Sequence, residues 1–103
     1  MTIIVMGYLR TAEGLVDKIV PALSAMMAAT NAEEGCEHYS FSRHIDDPDM
    51  IIISERWASP EALAAHGASA HMKAFNQALA GVRLEGLSVK AWTGDHWRTL
   101  IGD

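Results

Sequence analysis

The sequence has few of the features that mark several classes of protein. Its one cysteine excludes an internal disulfide and fits a reducing cytoplasm. It has no run of lysine or arginine and a formal net charge of −5, so we expect no surface for nucleic acid or anionic lipid. No hydrophobic run is long enough for a signal peptide or a membrane span. The sequence therefore predicts a cytoplasmic protein that contacts neither membrane nor nucleic acid.

Motifs for common cofactors are also missing. No glycine-rich loop for phosphate and no dinucleotide fingerprint occurs, so the sequence gives no support for a flavin or a nicotinamide. What remains is an ordinary globular composition in which 50% of the residues are hydrophobic and 20% are charged. At 103 residues the chain can form one sizeable core but not two, so we interpret residues 1–103 as a single domain.

Four segments have the pattern of β-strands. They are rich in β-branched and aromatic residues, or alternate polar and apolar residues, as strands of a half-buried sheet do. The predicted strands span residues 2–10, 37–45, 50–58 and 84–92. Two of them are joined by the polar link from Asp46 to Asp49, which is short enough for a hairpin.

The segments between these strands have helical spacing. A first helix is predicted from about Leu15 to Asn31, with a kink or a division near Pro21. Ser59 is a suitable N-cap for a short second helix, and a third helix is predicted to begin near Ser69. The order β-α-β-β-α(α)-β predicts an α+β, ferredoxin-like fold, in which the helices cover one face of a four-stranded antiparallel sheet.

The first strand predicts an association between copies of the chain. Both of its alternating sets are apolar, with Ile3, Val5, Gly7 and Leu9 on one face of the sheet and Ile4, Met6 and Tyr8 on the other, whereas the helices can cover only one face. Soluble monomers rarely expose such an apolar face. A specific interface needs roughly 800 Å² per partner, which the open face of a four-stranded sheet can supply. We therefore expect a homodimer that pairs sheet against sheet.

Four of the five histidines lie between Glu33 and Phe75, and two of these are candidates for catalysis. His66 and His71 are five residues apart, about 140° around a continuous helix, so they do not form a metal-binding pair and no metal is expected. A helix break at Gly67–Ser69 would still let both side chains face one pocket. A neutral imidazole is a suitable base for a phenolic proton. In the alternative interpretation, His71 is an exposed first-turn residue and His66 closes the edge of the core.

Other residues are candidates for binding a substrate. An apolar slot that stacks an aromatic ring is predicted from four aromatic side chains, although packing in the core or an interface is the simpler interpretation of each. These four are Tyr39, Phe41, Trp57 and Trp92. Arg56 would hold a substrate oxygen or, in the interpretation that we favour, pair with Glu55 or Glu37. Met72 and Asn76 lie one helical turn apart, and Asn76 would orient a hydroxyl group.

Several short motifs keep their order and spacing along nearly the whole chain. They are Glu34-Gly-Cys36, Tyr39, the Asp-Asp-Pro link, Ser54-Glu-Arg-Trp57, Ala62-Leu-x-x-His66 and Ser69-x-His71-Met-Lys-Ala-Phe75. As a set they resemble the antibiotic biosynthesis monooxygenase family. The resemblance implies a dimeric α+β barrel, in which two ferredoxin-like sheets pack face to face and each subunit has a pocket between helices and sheet.

The resemblance also limits the chemistry. Family members include cofactor-independent monooxygenases of polycyclic phenols and quinols, haem-degrading enzymes and an isomerase of a phosphorylated sugar. The haem-degrading branch uses an Asn, a Trp and a His where this sequence has Gly7, His66 and Asn76, so haem degradation is not expected. The first hypothesis is a monooxygenase without metal or organic cofactor, which oxidises a small aromatic substrate with O2 and uses His66 and His71 as bases. The alternatives are an isomerase or lyase of a polar metabolite, and a non-catalytic ligand-binding module.

Overall fold

The computed structural model describes residues 1–103 and contains seven elements. They are β1 (Ile3–Thr11), α1 (Val16–Asn31), β2 (Cys36–Arg43), β3 (Met50–Trp57), α2 (Pro60–Gly67), α3 (Ala70–Leu79) and β4 (Leu84–Thr93). The four strands form one antiparallel sheet in the order β2-β3-β1-β4, which confirms the predicted ferredoxin-like fold. No helix has both the length and the apolar composition that a membrane span needs.

Of the kink or division predicted near Pro21, the division is wrong, because the helix continues through this residue. Pro21 is the sixth residue of α1, so the only helical hydrogen bond that it removes is the one to the carbonyl of Asp17 in the first turn. The buried stripe of α1 continues on both sides of the proline. Packing of this stripe on the sheet stabilises the helix enough to retain the proline.

The predicted break between the second and third helices is confirmed, and a serine begins each of them. The side chain of Ser59 accepts a hydrogen bond from the backbone N–H of Ala62, and that of Ser69 accepts one from Met72. The Ser69 hydroxyl also donates to the carbonyl of His66, at 2.7 Å. Ser69 therefore fixes the last turn of α2 relative to the first turn of α3.

The two faces of the sheet differ in their environment. Odd-numbered residues of β1 and β3 pack with α1 in the core, among them Leu9, Ile51 and Ile53. Even-numbered residues lie on the open face, where Met6 is 56% exposed. The helices leave much of the edge strand β4 uncovered, so Val89 is 49% exposed although it lies on the helical side.

Gly7 lies in the middle of β1, where the neighbouring strand β4 approaches closely. A Cβ atom at this position would meet the backbone of Ser88 and would lie 2.8 Å from the Cα of Val89. Backbone atoms cannot rotate away as a flexible side chain can. The sheet therefore needs a residue without a side chain at this position.

Gly7→Ala is expected to lower the free energy of unfolding by about 1–3 kcal/mol, since overpacking must displace β4. Urea unfolding followed by circular dichroism measures the change. Gly67→Ala is the matched control, because a Cβ atom there meets no atom within 4 Å. Equal stability of the two variants would show that β4 adapts without cost.

Candidate functional site

A cavity of about 290 Å³ lies between α3 and the helical face of the sheet. Its wall is mostly apolar and opens toward the uncovered side of β4, where Leu87 and Val89 form part of the lining. The volume is close to the lower end of the range for small-molecule sites, roughly 300 Å³, which suits a ligand of one or two rings. A larger depression of about 620 Å³ on the outer side of α3 is shallower and less apolar. We therefore take the apolar cavity between α3 and the sheet as the candidate site.

Aromatic side chains form one wall of this cavity. The rings of Phe41 and Phe75 stack with their centroids 5.6 Å apart and their planes 14° apart. Tyr39 meets Phe41 edge to face, with a centroid distance of 5.2 Å. Burial, with a contribution from the negative charges of Glu55 and Glu33, raises the pKa of the Tyr39 hydroxyl well above its ordinary value. Tyr39 therefore stays protonated near neutral pH and can donate a hydrogen bond to a ligand oxygen.

The cavity contains one buried carboxylate, that of Glu55. Strand alternation directs its side chain toward the helices between Ile53 and Trp57, and only 8% of the residue is exposed. Its Oε1 atom accepts a hydrogen bond from Nε1 of Trp57 at 2.9 Å. Burial raises the pKa of Glu55, while the Trp57 hydrogen bond and the charge of His66 offset part of the rise. A carboxylate of this kind can exchange a proton with a ligand nearer to neutral pH than an exposed one can.

The sequence interpretation treated Glu55 only as an ion-pair partner of Arg56. In the structure Arg56 lies on the open face of the sheet and pairs with Glu37, with Nε and Oε1 3.1 Å apart. The signal for Glu55 was its position, because it interrupts the apolar face formed by Ile51, Ile53 and Trp57. Period-two alternation alone would therefore have found it as a polar residue directed into the core.

His66 and His71 come together through a residue from another part of the chain. Oε2 of Glu33, in the loop after α1, lies 2.7 Å from Nδ1 of His66 and 3.1 Å from Nε2 of His71. The His66 side chain is 3% exposed, and its ring packs against Tyr39 and Trp57 with centroid distances of 5.2 and 4.8 Å. We call Glu33, His66 and His71 the Glu33 cluster.

The angle of about 140° between His66 and His71 applies only to one continuous helix. In the structure the turn at Ser69 separates α2 from α3 and directs both imidazoles at one carboxylate. His66 and His71 do not belong to the cavity lining. Tyr39, which contacts His66 and also lines the cavity, lies between the two sites.

The predicted substrate-binding residues divide into three sets. Four of them line the cavity: Tyr39, Phe41, Met72 and Asn76. Trp57 is fully buried and reaches the cavity only through its hydrogen bond to Glu55. Arg56 and Trp92 lie on the opposite face of the sheet, where Trp92 is 51% exposed. Strand register keeps Arg56 and Trp92 away from the cavity, because neighbouring residues of a strand face opposite sides.

Comparison with known proteins identifies the family of this fold. A family model described as antibiotic biosynthesis monooxygenase matches residues 2–78, which include eight of the 13 residues that line the cavity, from Leu9 to Asn76. No curated protein matches the chain.

Solved structures share the fold over nearly the full chain. A candidate antibiotic biosynthesis monooxygenase from Deinococcus radiodurans is 23% identical, with a TM-score of 0.88 over 97% of this chain and 99% of its own. A protein of Mycobacterium tuberculosis is 21% identical, with a TM-score of 0.84 over 95% of this chain and 100% of its own. A candidate monooxygenase of the same description from Nitrosomonas europaea is 17% identical, with a TM-score of 0.84 over 90% of this chain and 89% of its own. At these identities the likeness concerns the fold.

Proposed function

The chain belongs to the antibiotic biosynthesis monooxygenase family, and we propose that it is a cytoplasmic, cofactor-independent monooxygenase of a phenol- or quinol-like substrate. The observation that carries this proposal is the buried carboxylate of Glu55 in a cavity with an aromatic wall. An oxygenase without a redox cofactor needs a base, because the aromatic anion passes an electron to O2 far more readily than the neutral phenol does. The cavity combines a base with a surface on which a ring can stack.

In the proposed reaction, the substrate ring lies against the stacked pair of Phe41 and Phe75, and its hydroxyl donates to Glu55. Tyr39 and Asn76 lie on the same cavity wall and hold a second oxygen of the substrate. Glu55 takes the phenolic proton, and the resulting anion reduces O2. Oxygenation of a quinol at a ring C–H then balances without an outside reductant: the quinol and O2 give a hydroxyquinone and H2O, and the substrate supplies all four electrons, two from the ring C–H and two from oxidation of the quinol to the quinone.

The histidines have a supporting role in this proposal. Glu55, which lines the cavity, is a more direct proton acceptor than His66, which lies behind Tyr39 and Trp57. His66 acts on the reaction through its charge, which lowers the pKa of Glu55, and through its packing against Tyr39. His71 and Glu33 hold the His66 ring in place.

Oxygen consumption tests the proposal. The chain, incubated with a panel of one- and two-ring phenols and quinols in an oxygen electrode, is expected to consume O2 in proportion to the product formed. The same incubation with heat-unfolded chain gives the rate at which O2 is consumed by autoxidation of the substrate alone. Product formation without O2 consumption would overturn the proposal and favour an isomerase or a lyase.

We also propose that the chain forms a homodimer through the open face of its sheet. Ile4, Met6, Tyr8 and Ile52 lie together on this face, since β1 and β3 pair with Ile4 opposite Arg56 and Tyr8 opposite Ile52. Such an apolar surface is large for a soluble monomer. Burial of this surface against a second copy would remove it from water and leave both cavities on the outer sides of the dimer.

Sedimentation at micromolar concentration is expected to give a species of twice the chain mass of 11.2 kDa. Met6→Lys should shift it toward the monomer, because a charge in the centre of the interface is desolvated without a partner. Val20→Lys is the matched control, since Val20 is a 42% exposed residue of α1, on the helical side of the sheet and away from its open face. If the wild-type chain sediments only as a monomer, the proposed dimer is wrong.

A further inference from the structure

We propose that the Glu33 cluster is a binding site for a divalent transition-metal ion, with Glu33, His66 and His71 as its three protein ligands. One carboxylate oxygen and one nitrogen from each histidine lie within 4.8 Å of one another. Two imidazoles and one carboxylate form a ligand set that suits zinc and its neighbours in the first transition row better than calcium or magnesium. The site goes beyond the proposed oxidation, because its residues do not line the cavity.

The distances in the cluster are close to those of a coordination sphere. Zinc binds nitrogen and carboxylate oxygen at about 2.0–2.2 Å, which places tetrahedral ligands roughly 3.3–3.6 Å apart. The Glu33 oxygen lies 2.7 Å from the His66 nitrogen and 3.1 Å from the His71 nitrogen. A metal ion in place of the shared protons therefore requires the Glu33 oxygen to move away from each nitrogen by less than about 1 Å. It also requires the two nitrogens, which lie within 4.8 Å of each other, to approach by up to about 1.5 Å. Rotation of the Glu33 side chain and of the partly exposed His71 side chain can provide these movements.

The three ligands come from separate segments that other contacts hold in place. Glu33 follows α1 in a turn in which its backbone N–H donates to the carbonyl of Thr30 at 3.0 Å. His66 lies in the last turn of α2 and His71 in the first turn of α3, and the hydroxyl of Ser69 joins these two turns. The His66 ring is fixed further by its contacts with two buried aromatic side chains of the sheet. Ligands that are positioned in this way lose little conformational freedom when they bind a metal.

The burial of the cluster leaves one side for entry and for a water ligand. The His66 side chain is 3% exposed, whereas those of Glu33 and His71 are 17% and 27% exposed. A three-ligand site with one solvent-facing position is typical of zinc centres that keep a water molecule. A bound ion would join the loop after α1 to α2 and α3, and so would stabilise the folded chain in proportion to its affinity.

Titration of the chelator-treated full chain with zinc chloride in an isothermal calorimeter tests this inference. One zinc ion is expected to bind per chain and to raise the melting temperature. Cobalt(II) at the same site is expected to give the visible absorption of a four-coordinate ion. Glu33→Gln, which keeps the shape of the side chain, and His71→Ala are each expected to weaken binding more than roughly tenfold, since loss of even an outer-shell partner has that effect.

Two control variants separate this site from incidental binding. His96→Ala removes an imidazole from the exposed C-terminal segment, and Cys36→Ser removes the only thiol. Both controls are expected to bind zinc like the wild type. If the folded wild type binds no zinc, or if Glu33→Gln and His71→Ala bind it as tightly as the wild type does, the cluster is a hydrogen-bonded group only and the inference is wrong. Neither result depends on turnover, so oxygen consumption and metal binding are judged separately.

Discussion

Glu55→Gln is expected to lower kcat/KM for oxidation of an accepted quinol by roughly 100-fold or more, the usual contribution of a positioned general base. Glutamine has nearly the same shape, and its carbonyl oxygen can still accept the hydrogen bond from Trp57, but it cannot take a proton. Glu37→Gln is the matched control, because Glu37 is an exposed carboxylate on the neighbouring strand that pairs with Arg56. Full activity of Glu55→Gln would exclude Glu55 as the base.

The same substitution is expected to stabilise the fold at neutral pH. The pKa of Glu55 is raised in the folded chain, so the folded state binds more protons than the unfolded state between the ordinary and the raised pKa. Wild-type stability therefore falls as pH increases through this window, and the loss grows with the difference between the two pKa values. Glutamine removes this loss. Urea unfolding at acidic and neutral pH should show that the free energy of unfolding of Glu55→Gln increases relative to that of the wild type as pH rises. A difference that stays constant with pH would contradict this explanation.

Trp57→Ala is expected to lower the free energy of unfolding by about 3–5 kcal/mol, the range for large aromatic residues in cores. Trp57 is 0% exposed, packs against His66 with a centroid distance of 4.8 Å, and donates to Glu55. The substitution leaves both a void and an unpaired buried carboxylate. Small domains have a total free energy of unfolding of about 5–15 kcal/mol, so this loss is a large fraction of the total.

Trp97→Ala is the matched control for that experiment, since it removes the same side chain from a position that is 82% exposed. We expect a change of less than about 0.5 kcal/mol for the control, as is usual at exposed positions. Denaturant unfolding that is followed by far-UV circular dichroism measures both variants without relying on tryptophan fluorescence. If the two variants are equally stable, Trp57 does not have the structural role that its burial assigns to it.

Local sequence patterns were sufficient to predict most of the fold. The serines at 59 and 69 identified two helix starts because capping is a contact between residues three apart. The alternation of β1 identified its two faces because side chains of a strand alternate regardless of its partners. Pro21 led to a wrong division because its cost is local, whereas the buried stripe that outweighs it belongs to tertiary packing.

The candidate site was harder to predict because it depends on contacts between distant segments. Glu33 is separated from His66 by 33 residues and from His71 by 38, so no local pattern brings them together. Arg56 and Trp57 are adjacent in sequence but face opposite sides of the sheet, and only the strand pairing decides which of them approaches the cavity. Glu55 could have been found from its alternation with the isoleucines of β3. Its value as a base depends on burial, which only the packed fold determines.

Isotope labelling with 18O2 tests the central claim most directly, because it distinguishes a monooxygenase from an oxidase that only transfers electrons to O2. The product of an accepted quinol, formed by the chain under 18O2 and examined by mass spectrometry, is expected to carry one labelled oxygen atom. The second labelled atom should appear in water, and Glu55→Gln should form labelled product at a rate at least about 100-fold lower. Product without label, or label that is incorporated equally fast by Glu55→Gln, would contradict the account.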